Sequence, residues 1–80
     1  MNLHLTWRDS TGKRTETMSA IGLRDIEDVR RNGRRDRYER INITSQAQAT
    51  EYGRALLGAY NDGIARFGGE FREFVQCVLK

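Results

Sequence analysis

The chain has no proline, one cysteine and one histidine in 80 residues, and each shortage removes a class of answer. Cys77 alone can neither close an internal disulfide nor share a metal with a second cysteine. Small secreted domains usually depend on such staples, so a reducing, cytoplasmic setting is expected. His4 is the sole histidine, which excludes a multi-histidine metal site or a His/Cys zinc knuckle built within one chain. A nucleophile with a histidine base would have to bring His4 to Cys77 or to a serine, and nothing local suggests it. Neither a metal nor a cofactor is expected.

Long apolar runs are also missing. No stretch approaches the roughly 20 residues of a membrane span, and "MNLHLTWRDS" alternates apolar and polar residues instead of offering the apolar core of a signal peptide. The glycines match neither dinucleotide nor phosphate-loop spacing. "GRALLG" at 53–58 is followed by no Lys-Ser/Thr and sits inside a helical pattern. The carboxylate pairs Asp25/Asp28 and Glu70/Glu73 lie among arginines at helical spacing, where salt-bridged surface is the simpler reading than acid–base chemistry. One domain of this size buries only about 60% of its unfolded surface. A thin core and an empty motif search point away from an enzyme and toward a binding or regulatory module.

What is present is patterned. Leu3, Leu5 and Trp7 alternate with His4, Thr6 and Arg8, the period of a half-buried strand. "DSTGK" supplies turn residues, with Gly12 able to take positive φ. Met18 and Ala20 follow in a Thr-rich run, so a β-hairpin is expected over 2–20. In 22–32, Leu23, Ile26 and Val29 share a helical side, with Arg24–Asp28 and Glu27–Arg31 as i,i+4 pairs on the other. Asn32-Gly33 would end that helix. The same dipeptide is a hairpin signal, but a hairpin sets arginine against arginine, so the helix is preferred to the hairpin arm.

Residues 37–44 read as a strand with Ile41 and Ile43 on one face. Ser45 and Gln48 have capping-box spacing. Ala49, Tyr52, Leu56, Ala59, Tyr60, Ile64 and Phe67 form an apolar stripe over a helix at 46–66. Gly53, Gly58 and Gly63 within it are expected to let the helix press against the sheet. In 70–80, Phe71, Phe74, Val75, Val78 and Leu79 match a helical stripe better than a strand, whose alternation Glu73 would break. The expected architecture is α+β in one domain, 1–80. A small antiparallel sheet, the N-terminal hairpin plus a further strand, is covered by helices in the order ββαβα, with a C-terminal helix or strand.

Charge is concentrated. Residues 30–40, "RRNGRRDRYER", hold six arginines against Asp36 and Glu39, while the formal net charge of the whole chain is only +3. Arginine presents a rigid fork that grips carboxylate or phosphate and stacks on flat rings. Arg30, Arg31, Arg34, Arg35, Arg37 and Tyr38 are therefore the expected contact residues. Acids interspersed among the arginines suit a protein interface of defined register, and Arg and Tyr are common interface anchors. A protein partner with an acidic surface is the first expectation. A nucleic-acid backbone, gripped by the same arginines with Tyr38 on an unpaired base, is the alternative. Small cofactor-free phage or mobile-element inhibitors of host nucleic-acid-processing complexes, anti-CRISPR proteins included, share this size and emptiness of motif. That class enters by base rate and not by resemblance. A monomer is expected, or a homodimer through the Phe71, Phe74, Val75, Val78 and Leu79 stripe.

Overall fold

The alternating N-terminal segment forms β1 (Asn2–Asp9) in a computed structural model that describes residues 1–24 and 40–80. It pairs antiparallel with β2 (Gly12–Ser19) in a hairpin closed at Asp9–Gly12. Asp9 fixes the turn, its Oδ1 accepting from the Thr11 amide at 2.9 Å and from the Thr11 hydroxyl at 2.6 Å. Gly12 takes φ 114°, the left-handed side that a residue without Cβ adopts at little cost. Leu3, Leu5 and Trp7 all point to one face and are nearly fully buried.

After the hairpin the chain forms β3 (Leu23–Arg24), paired antiparallel with β4 (Arg40–Ile41) as a separate two-stranded ribbon. Leu23 and Arg24 are thus strand residues, which corrects the expected helical start at 22. The ladder pairs Leu23 with Ile41, burying part of each against the core, and that contact outweighs a weak local preference for helix. The rest of that expected helix, including Asn32-Gly33 and the carboxylates Asp25 and Asp28, lies outside the described residues. The strand expected at 37–44 is confined to Arg40–Ile41 among them. Ile41 and Ile43 do both pack on the core, and the Ile43 amide donates to Ala20 O at 2.8 Å.

The helix α1 (Gln46–Phe67) starts where the capping box places it. The Gln48 amide donates to Ser45 Oγ at 3.2 Å, and the Ser45 amide donates back to Gln48 Oε1 at 3.2 Å. Ala49, Tyr52 and Leu57 carry the helix onto the sheet, joining Leu3, Leu5, Trp7, Ala20, Ile43 and Cys77 in the core. Gly53 lies at the closest approach. A Cβ built there would meet the Cys77 Cβ at 2.6 Å and Leu5 Cδ1 at 3.1 Å. Gly58 and Gly63 face open space, so close packing explains only the first of the three. The apolar stripe also stops short of its expected end, with Phe67 88% exposed.

The C-terminal segment is a strand, β5 (Glu73–Leu79), antiparallel to β1 and completing a sheet of order β2-β1-β5. This overturns the preferred helix there. The alternation expected of a strand is broken by a bulge. Thr6 pairs with Gln76 and Trp7 with Phe74, leaving Val75 as an extra residue, a β-bulge. The bulge puts Phe74, Cys77 and Leu79 on the face of Trp7, Leu5 and Leu3, so an i, i+3 step appears inside a strand. Glu73 then falls on the opposite face, where it meets Arg8 at 3.0 Å. The five-residue stripe proposed for a homodimer is consequently no single surface. Phe74 and Leu79 pack on the core, Val78 sits on the other face, and Phe71 precedes the strand.

Candidate functional site

The six contact residues expected from sequence, Arg30, Arg31, Arg34, Arg35, Arg37 and Tyr38, lie outside the described residues. What the structure does place is a cavity of about 410 Å³ between the helix-facing side of the sheet, the β3–β4 ribbon and α1. Its wall is aromatic and aliphatic, from Trp7, Tyr52, Leu56 and Tyr60, and its charged members are Arg24, Arg40, Arg72 and Glu16. Among the described residues, three cations face one carboxylate there.

Arg72 is held at both its backbone and its side chain. Asn61 on α1 holds its backbone from both sides, Nδ2 donating to Arg72 O at 2.9 Å and Oδ1 accepting from the Arg72 amide at 3.0 Å. The side chain then lies between two rings, its guanidinium carbon 3.8 Å from the centroid of Tyr60 and 4.5 Å from that of Trp7. Stacking of this kind is worth about 0.5–2 kcal/mol per contact, depending on desolvation. Two such contacts fix the position of the guanidinium. Among the described residues no carboxylate or other acceptor meets its N–H groups. An arginine positioned by two rings, with its N–H groups unengaged among the described residues, suits a bidentate acceptor, a carboxylate or a phosphate.

Of the other cations, Arg40 is engaged by the backbone. Arg40 Nη1 donates to Gly22 O at 2.7 Å, which helps Arg40 sit opposite Arg24 across the β3–β4 ladder. The Trp7 indole N–H is buried and makes no hydrogen bond of good geometry among the described residues, the Asp9 carboxylate being the acceptor on its side of the sheet. Comparison with family models, with curated proteins and with solved structures returns no match. The site has to be read from its own chemistry.

The remaining polar groups resolve into structural roles. His4 projects from the sheet face opposite the core, as its alternation with Leu3 and Leu5 predicts, and its Nδ1 lies 3.1 Å from Thr17 Oγ1. Thr6 and Thr15 join their hydroxyls at 2.9 Å on the same face. Burial pushes the Cys77 thiol up, away from the thiolate form that nucleophilic or redox chemistry needs, in keeping with its place in the core. Among the described residues no three His, Cys, Asp or Glu side chains converge, and no helix is long and apolar enough to cross a membrane.

Sequence reading did not single out Arg72. Its setting depends on Trp7 from β1, Tyr60 and Asn61 from α1, and the chain just before β5, contacts that no sequence spacing encodes. The misassigned C-terminal helix would have sent Arg72 elsewhere.

Proposed function

We propose that this chain is a non-enzymatic binding protein that occupies an acidic surface of a protein partner, with Arg72 as a carboxylate anchor. The observation that supports this reading is the guanidinium fork fixed between Trp7 and Tyr60 with its edge donors unengaged beside a cavity. A charge-assisted hydrogen bond to such a group contributes about 1.5–3 kcal/mol. Apolar walls around it suit the aliphatic stem of a glutamate or aspartate better than a bare polyanion. Arg30, Arg31, Arg34, Arg35, Arg37 and Tyr38 extend the contact in this proposal, since Arg40 belongs both to their run of sequence and to the cavity wall. The partner proposed is a host nucleic-acid-processing complex inhibited by a small phage- or mobile-element-type protein, on size and cofactor-free composition alone.

The reading is tested by fluorescence anisotropy with a glutamate-rich peptide and with RNA and DNA oligonucleotides, at low and physiological salt. The peptide is expected to bind the wild type and to lose roughly tenfold or more in affinity with Arg72→Ala, the equivalent of at least about 1.4 kcal/mol. Arg54→Ala, which removes a guanidinium stacked 4.5 Å from Phe74, serves as the control and leaves binding unchanged. Binding to oligonucleotides alone, with affinity falling steeply with salt and indifferent to Arg72→Ala, would replace the protein partner by a nucleic-acid backbone.

A further inference from the structure

The two edges of the three-stranded sheet are finished differently. On β5 two of the outward backbone groups are taken by a side-chain amide of α1. Gln46 Nε2 donates to Cys77 O at 2.6 Å, and Gln46 Oε1 accepts from the Leu79 amide at 3.0 Å. Just before the strand, Asn61 holds Arg72 in the same two-bond manner. Each amide imitates the backbone of a neighbouring strand and so caps that edge where it binds.

On β2 the corresponding groups are open. The Ala20 amide donates to Met1 O. Counting along the ladder, Leu3–Met18, Leu5–Glu16 and Trp7–Arg14 are then the pairs that exchange hydrogen bonds. Lys13, Thr15 and Thr17 therefore turn their N–H and C=O groups outward. Among the described residues nothing donates to or accepts from them, and residues 12–17 are all exposed. An unguarded edge of this length is a template for another strand.

We infer that β2 pairs antiparallel with β2 of a second copy of this chain, about a twofold axis at Thr15. Charge selects both the occupant and the register. Outward-facing residues must pair with outward-facing residues, so the register moves in steps of two. With Thr15 opposite Thr15, Lys13 faces Thr17 and Arg14 faces Glu16 twice, in the closely spaced positions between hydrogen-bonded pairs where opposite charges help most. One step in either direction sets Arg14 against Arg14 or Glu16 against Glu16. Both side chains are available for the exchange. Glu16 has no ion-pair partner among the described residues. Arg14 is exposed, and among the described residues its engagement is at Nε, which donates to Thr11 Oγ1 at 3.2 Å and lies 3.6 Å from the largely covered carboxylate of Asp9. The result is one continuous six-stranded sheet across two copies. It uses none of the Arg72 contacts, although Glu16 also lines the cavity beside Arg72, so Arg14→Glu is the variant that leaves the cavity wall unchanged.

Sedimentation velocity on the full chain, from dilute to concentrated solution, tests this with two charge variants. Arg14→Glu sets acid against acid at both positions, and Glu16→Arg sets arginine against arginine. Wild type is expected to dimerise and each variant alone to stay monomeric, while an equimolar mixture of the two restores a heterodimer. Thr15→Pro, which deletes an N–H that β1 does not use, is expected to abolish the dimer with the hairpin circular-dichroism signal retained. A wild type that stays monomeric when concentrated overturns the inference. So do variants as dimeric as wild type, or a mixture that fails to associate.

Discussion

Replacing Gly53 by alanine pits two effects of known size against each other. Alanine is the better helix former by about 0.8–1 kcal/mol, so propensity alone predicts a more stable protein. Space predicts the reverse. The new methyl would sit 2.6 Å from the Cys77 Cβ, 3.1 Å from its Sγ and 3.1 Å from Leu5 Cδ1, where carbon–carbon contact is comfortable only at about 3.5–4 Å. The Cys77 Cβ is fixed to a paired strand and cannot rotate away, so α1 must lift from the sheet. Overpacking of this kind costs roughly 1–3 kcal/mol, and the rigid neighbour puts Gly53→Ala in the upper part of that range. The net loss is then about 1–2 kcal/mol after the propensity gain. In urea, with a slope near ~1 kcal/mol/M for a small domain, the midpoint falls by about 1–2 M. Gly58→Ala is the matched control, since nothing lies within 4 Å of its added Cβ, and it gains up to ~1 kcal/mol. Equal or greater stability for Gly53→Ala would refute the close approach of helix and sheet.

Three further outcomes follow from the same coordinates. Ser45→Ala removes one half of the capping box at the start of α1, costs about 1 kcal/mol in urea melts and speeds amide exchange at Gln48 first. The Thr11 hydroxyl and amide, with a smaller contribution from Arg14, hold the Asp9 carboxyl below its ordinary value of 3.8. A depressed folded value means the stabilisation is complete above the unfolded value and is lost as pH falls through the folded one. Asp9→Asn should therefore flatten the acid-side decline in stability below that pH, and an unchanged decline would show that other carboxylates carry it. The buried Cys77 thiol should react with a disulfide reagent only as fast as the protein opens, so mild denaturant accelerates labelling. Rapid labelling of the native protein would contradict its place in the core.

Much of the fold was legible because its signals are local. The alternation of Leu3, Leu5 and Trp7 gives β1 and its buried face without help from the rest of the chain. Ser45 and Gln48 mark the start of α1 because a cap is satisfied within four residues. The C-terminal strand was misread for a specific reason. The bulge at Val75 inserts one residue into the register, so Phe74 and Cys77 reach the same face at a helical separation, and only pairing with β1 decides between the two periods. Glu73, which argued against a strand, is satisfied by Arg8 across that ladder. The anchor at Arg72 was illegible on the same ground, being built from three separated segments. The arginine run at 30–40 was conspicuous by composition, and of its arginines only Arg40 is among the described residues.

In the proposed function Arg72 presents its fork to a partner's carboxylate. Two-dimensional NMR of the side-chain N–H groups addresses it directly, because the chain holds a single tryptophan and so a single indole signal beside the site. On titration with a glutamate-rich peptide, the Arg72 Nε–H and Trp7 Nε1–H resonances are expected to shift together and saturably, with Arg54 unmoved. Saturable binding of that peptide that leaves both resonances in place would put the contact elsewhere and contradict the account.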